Sequence, residues 1–149
     1  MSERHTVTTT LEFPYRRSLG PIVGRFSLGL RDGRILGART QAGGVLVPPL
    51  EYDPDTAQAV EPDLVEVGPG GVVTSWTWVA HPSARHPLDR PFAFALIRLD
   101  GATTSMVHVI DAAGPEAVHT GLRVTPRWRD ERAGAITDIE AFVPEGAAS

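Results

Sequence analysis

Phe92-Ala93-Phe94-Ala95-Leu96-Ile97-Arg98-Leu99 is the run on which the fold turns. Both alternating sets of side chains are apolar apart from Arg98. A strand that must bury both faces fits a small, highly curved barrel better than an open sheet with one wet side. Further β runs lie on either side. Val72 to Val79 is dense in Val, Thr and Trp, and Thr103 to Ile110 follows the Asp100-Gly101 turn. Leu122 to Arg129 and Ile136 to Val143 come later, parted by the turn-like Asp130-Glu131-Arg132-Ala133-Gly134.

Five short strands are therefore predicted, with a longer connection from Asp111 to Gly121 between the third and the fourth. That count and rhythm suit an OB-fold barrel, although the pattern alone also admits a small sandwich. Residues 1–12 are polar and Thr-rich, and read as a frayed tail or a short edge strand. Ile22, Val23, Phe26 and Leu30, with Pro21 ahead and Gly33 behind, fit a short amphipathic helix. The alternation Phe26-Leu28-Leu30 would also suit a strand.

Gly37 to Asp55 reads GARTQAGGVLVPPLEYDPD and has the outline of a zinc ribbon without its ligands. A ribbon carries two Cys-x-x-Cys knuckles, since thiolates at that spacing give zinc a tetrahedral site. Here the knuckle positions are Thr40, Gly43, Tyr52 and Asp55, and the chain has no cysteine at all. No metal is predicted. The backbone signals remain: Gly43-Gly44 for a tight turn, Val45-Leu46-Val47 as a short strand, and Pro48-Pro49 to hold the chain extended. The fold class is mainly β, a five-stranded OB-fold barrel preceded by a short helix and a degenerate, metal-free zinc-ribbon-like hairpin. It divides into residues 1–66, with tail, helix and hairpin, and 67–149, with the barrel and C-terminal tail.

The order of features carries a resemblance. Gly29 to Arg39 (GLRDGRILGAR), the ribbon-like stretch ending in Pro48-Pro49, Gly71 to Val79 (GVVTSWTWV) and Pro91 to Ala102 (PFAFALIRLDGA) together resemble the acyl-CoA-associated OB-fold family with an N-terminal rubredoxin-like zinc ribbon. The resemblance spans roughly residues 13 to 144, and departs from the family at the four ligand positions. It implies a small subunit that binds a thiolase-like (lipid-transfer-protein-like) enzyme in a two-plus-two hetero-oligomer. The assembled enzyme would act on acyl-CoA thioesters, for instance by retro-aldol cleavage of a steroid side chain. The catalytic groups would then lie on the partner, and this chain would help form the substrate entrance.

Composition sets limits on function. The chain has 149 residues, 42% hydrophobic and 21% charged, which is globular and long enough for one cored unit. No apolar run approaches the ~18 residues of a membrane span, and the N-terminus lacks the apolar stretch of a signal peptide, so the cytoplasm is the expected compartment. A net charge of -4 argues against a general nucleic-acid binder. Trp76, Trp78, Phe92 and Phe94 could stack on bases in an OB-fold, and single-strand binding stands as a third reading. The second is a free-standing acyl-CoA or acyl-group module.

Candidate sites are few. The loop His81 to Pro91 joins the first two barrel strands, and its prolines limit its conformations. Arg85, His86 and Arg90 on it could form a preorganised contact for CoA phosphates or for an acidic patch on a partner. No tightly bound cofactor is expected. The histidines show no metal-ligand spacing, and no nucleophile motif occurs. Asp53/Asp55 and Asp138/Glu140 read as solvated surface pairs, the second alternating outward on a strand. Tyr15, Arg17, Pro48, Pro49 and Tyr52 are the residues expected at a partner interface, because Tyr and Arg bury large areas with a polar tip and prolines lower the ordering cost. Zinc would contribute ~10 kcal/mol or more to a ribbon's folding; without it, docking on the partner is read as what orders the hairpin.

Overall fold

Along the chain run helix α1 (Gly20–Arg31), strands β1 (Ile35–Arg39), β2 (Val45–Leu46), β3 (Leu64–Val67), β4 (Gly71–Val79), β5 (Phe92–Leu99) and β6 (Met106–Ile110), then β7 (Arg123–Trp128) and β8 (Ile139–Pro144). Short 3-10 turns at Pro115–Ala117 and Ile136–Asp138 precede the last two strands. The computed structural model describes residues 5–12 and 18–146, and the readings placed on Tyr15 and Arg17 lie outside the described residues.

Strands β4 to β8 close into a barrel in the order β4-β5-β6-β8-β7. All neighbours are antiparallel except β6 and β8, which meet in parallel at Ile110 and Phe142. This is the predicted OB-fold arrangement, and closure removes the sandwich alternative. Gly71 lets β4 begin against the far end of β5. A Cβ there would lie 2.6 Å from the Arg98 carbonyl oxygen and 2.9 Å from Leu99 Cα.

Strand limits differ from the sequence reading in two places, each for a local reason. The third barrel strand starts at Met106 rather than Thr103, because Thr103 and Thr104 turn their hydroxyls onto β2. The last starts at Ile139 rather than Ile136, because Asp138 folds residues 133–138 into a tight turn. Strand β5 is covered on both faces only near its start. Phe92, Ala93, Ala95, Ile97 and Leu99 are buried, whereas Leu96 is 39% exposed and Arg98 faces solvent.

Ahead of the barrel, β2-β1-β3 form a second, three-stranded sheet. Neither β1 nor β3 is singled out by the sequence. Gly37 in β1 allows close approach of β2, since a Cβ there would lie 2.7 Å from Val45 Cγ1. Helix α1 buries Ile22, Phe26 and Leu30 and leaves Leu28 exposed, so helical spacing prevails over the strand alternative. Each such buried side chain contributes about 1.5–3 kcal/mol. The helix ends at Gly33, whose φ of +72° suits glycine, with the Arg34 N–H donating to the Gly29 carbonyl at 2.8 Å. Phe26, Leu30 and Val47 join Ile97, Ile110 and Phe142 in one continuous core, so helix, hairpin and barrel pack as a unit.

Candidate functional site

The loop between β4 and β5 lies against the outside of the barrel. Leu88 is buried there with Phe92, Val109 and Ala141. His86 accepts the Ser83 N–H at Nδ1 (2.7 Å), and its ring stands edge-on to Phe92, with centroids 5.6 Å apart, beside Phe94. His86 is thus held in place by the loop and the two phenylalanines, and stays partly exposed. Arg85 is exposed and makes no ion pair among the described residues. Arg90 turns to a different feature, donating from Nε to Asp111 Oδ1 (3.2 Å) and from Nη2 to Oδ2.

Asp111 also takes Arg127 Nη1 at 3.0 Å, while Arg127 Nε donates to Glu140 at 2.7 Å. Sequence reasoning missed Arg127 and Asp111, since only barrel closure brings the ends of β6 and β7 to Arg90. Burial pushes the Asp111 carboxyl up, and hydrogen bonds from Arg90 and Arg127 outweigh that, holding it below the usual carboxylate range. Arg90, Asp111 and Arg127 form the polar end of a cleft of about 490 Å³ whose other walls include Ala112, Ala113, Val143 and Pro144.

A second feature is apolar. Leu96 and Val107 face each other across β5 and β6 and are 39% and 63% exposed. They line a hollow of about 230 Å³ with Trp76 and Phe94. Phe94 and Val107 also border a second hollow, of about 200 Å³, that reaches Pro87 and Ile136. On the other side, Thr74 Oγ1 donates to the Leu96 carbonyl and lies 3.1 Å from Ser105 Oγ. Ser105 and Thr104 then wall a third hollow, of about 290 Å³, with Pro48, Leu50 and Pro54 of the hairpin. An apolar band therefore runs from Leu96 to Ile136 through Phe94 and Val107, which the first two hollows share, with Arg129 and Glu140 as charges at its far rim; the Thr74 and Ser105 hydroxyls part it from the hollow at Leu50. At the hairpin Pro48 and Tyr52 are exposed and Pro49 is buried.

Both carboxylate pairs need correction. Asp53 is buried rather than solvated, and accepts the Asp55 N–H at 2.9 Å. Asp138 is buried as well, and sits in a 3-10 turn rather than outward on a strand. It accepts the amides of Ala133, Gly134 and Ala135. Burial pushes its carboxyl up, and those amides with Arg132 pull it below the usual range. Both carboxylates are turn-builders, and neither is placed as an acid or base. The four aromatics do not form one platform either. Trp76 and Trp78 stand opposite Ala95 and Ala93 and pack on the core, while Phe94 is on the outer face.

The four knuckle positions do not fit zinc. Thr40 Oγ1 is taken up by the Gly44 N–H at 2.9 Å, Gly43 has no side chain, and Tyr52 and Asp55 are exposed. One carboxylate and one phenol make a poor set for a metal that prefers thiolate and imidazole.

A closed five-stranded barrel with a docked helix and hairpin defines a small OB-fold protein. Residues 64–129, from β3 to the end of β7, match the family model described as ChsH2, C-terminal OB-fold domain. Among solved structures, the chain called Ltp2-ChsH2(DUF35) aldolase is similar at 21% identity, with 87% of this chain and 98% of that chain covered and a TM-score of 0.61. A DUF35-family protein of unknown function from Sulfolobus solfataricus is similar at 23% identity, over 72% of this chain and 77% of that chain, with a TM-score of 0.60. No curated protein matches. These likenesses support the resemblance to the acyl-CoA-associated OB-fold family.

Proposed function

We propose that the protein is a non-catalytic accessory subunit that binds and stabilises a thiolase-like enzyme acting on acyl-CoA thioesters, and helps form that enzyme's substrate entrance. The apolar band carries the reading. Leu96, Val107 and Ile136 are each at least 39% exposed along it, and contiguous apolar surface with a polar rim marks a protein contact. In this reading the catalytic groups would lie on the partner. The likeness to a ChsH2 chain of an aldolase supports the same reading, with steroid side-chain retro-aldol cleavage as its finer form. The complex would be cytoplasmic and two-plus-two. Arg85, His86 and Arg90 would meet CoA where the loop borders the entrance, and no cofactor would be held tightly.

Co-expression with the thiolase-like subunit and measurement of the complex's Kd test it. Replacing Leu96 and Val107 by Asp is expected to weaken the complex at least about tenfold, the effect of ~1.4 kcal/mol, while the barrel's melting temperature stays within a few degrees. Unchanged affinity would remove the band from the interface and sink the reading.

The cleft at Arg90, Asp111 and Arg127 favours a second reading, a module that holds an acyl-CoA by itself. CoA would then raise the melting temperature of the isolated chain, and Arg90→Ala would abolish the rise. No shift at millimolar CoA would exclude this reading.

A further inference from the structure

The hairpin has lost its metal ligands, yet its backbone hydrogen bonds are made within the chain. Its first turn is tied by Thr40, whose N–H donates to the Gly44 carbonyl (2.8 Å) and whose Oγ1 accepts the Gly44 N–H (2.9 Å). The second turn is tied by Asp53, which donates its N–H to the Gln58 carbonyl and accepts the Ala57 N–H at its own carbonyl, both at 2.8 Å. Its buried carboxylate holds the Asp55 amide inside that turn. In a zinc knuckle a metal joins two such turns. Here each turn is closed by one oxygen-bearing side chain.

The free edge of β2 is closed differently. Thr103 Oγ1 accepts the Val45 N–H at 2.8 Å and donates to the Val45 carbonyl at 3.1 Å. Thr104 Oγ1 does the same for Val47, at 2.9 and 3.2 Å. The Thr103 N–H adds a bond of 2.9 Å to the Val45 carbonyl. Alternate residues of a strand direct their N–H and C=O to one side, so two hydroxyls in tandem stand in for a neighbouring strand. Both come from the turn between β5 and β6, and so bind the hairpin to the barrel. The side chains of Val45 and Val47 are buried in the shared core beneath them.

We infer that residues 40–60 form a metal-free clasp, set by Thr40 and Asp53 at its turns and by Thr103 and Thr104 along its edge, that is already folded in the isolated chain. The sequence reading made partner docking the source of the hairpin's order; these bonds supply it from within. The clasp leaves β2 with no open edge for strand addition, so a partner would meet its side chains rather than its backbone.

Residue-resolved amide exchange of the isolated protein in the presence of a chelator tests this. The amides of Gly44, Val45, Val47 and Asp55 are expected to be protected at least about tenfold over free-peptide rates. Exchange of these amides at free-peptide rates in the isolated chain would overturn the inference. Thr104→Val is expected to speed Val47 exchange about tenfold, as loss of a single bond predicts, with Ile97 in the barrel unaffected, and Thr104→Ser to restore it. No change in Thr104→Val would remove the hydroxyl from its assigned part. Should that variant unfold, exchange in the unaltered protein remains decisive. None of these readings needs the partner, so the inference can fail while the accessory-subunit reading stands, and the reverse.

Discussion

His108 shows how one residue registers the barrel's closure. It lies on β6 with its ring edge-on to Phe142 of β8, centroids 5.2 Å apart, and Val109 donates its N–H to Nδ1 at 2.8 Å. Burial pushes its pKa down, more than its contact with the Ile136 carbonyl pushes it up. The folded chain therefore binds a proton at His108 less readily than the unfolded chain does. The stability tied to this preference is complete above the ordinary histidine range of about 6.5 and is lost as the pH falls towards the depressed folded value. Urea melts at pH 7.5 and 5.5 should show a loss for the native protein, at most about 1.4 kcal/mol per pH unit from this group. His108→Asn should make that loss smaller; an equal loss in the variant would assign it elsewhere.

Helix α1 is held at its C-terminal end by a residue far away in sequence. Arg132 donates from Nε to the Arg31 carbonyl (2.9 Å) and from Nη1 to the Arg129 carbonyl (3.1 Å), so the loop before β8 caps the helix with a positive charge. A cation there meets the negative end of the helix dipole. Arg132→Ala should lower unfolding free energy by about 1 kcal/mol in urea titrations, with the circular-dichroism signature of the barrel retained. A variant as stable as the native chain would show that the cap carries no weight. The elements themselves were unevenly legible. The helix and the five barrel strands could be read because their apolar spacing is set by burial against one core. Strands β1 and β3 could not: Ile35–Arg39 and Leu64–Val67 are short, and they pair with each other across the whole hairpin that separates them in sequence. Asp138 was read as solvated because alternation along a strand was assumed where a 3-10 turn stands. Arg127 and Asp111 were invisible as partners of Arg90 until closure of the barrel joined them.

At the level of the whole molecule, hairpin, helix and barrel share one core, so they rise and fall together in stability. The last strand is the piece that makes this so. Strand β8 lies between β6 and β7, pairing with one in parallel and with the other antiparallel, although it is the last of the three in sequence. On the ribosome, β4 to β7 emerge with a gap where residues 139–144 belong, and Phe142, which is fully buried in the finished core, is still to come. Until that segment clears the exit tunnel, the nascent barrel has two unpaired edges and an open interior, the condition in which β-rich chains are most prone to aggregate. Folding of this barrel is therefore completed only after that strand has been synthesised, and this short stage of synthesis is where a chaperone would have most to protect.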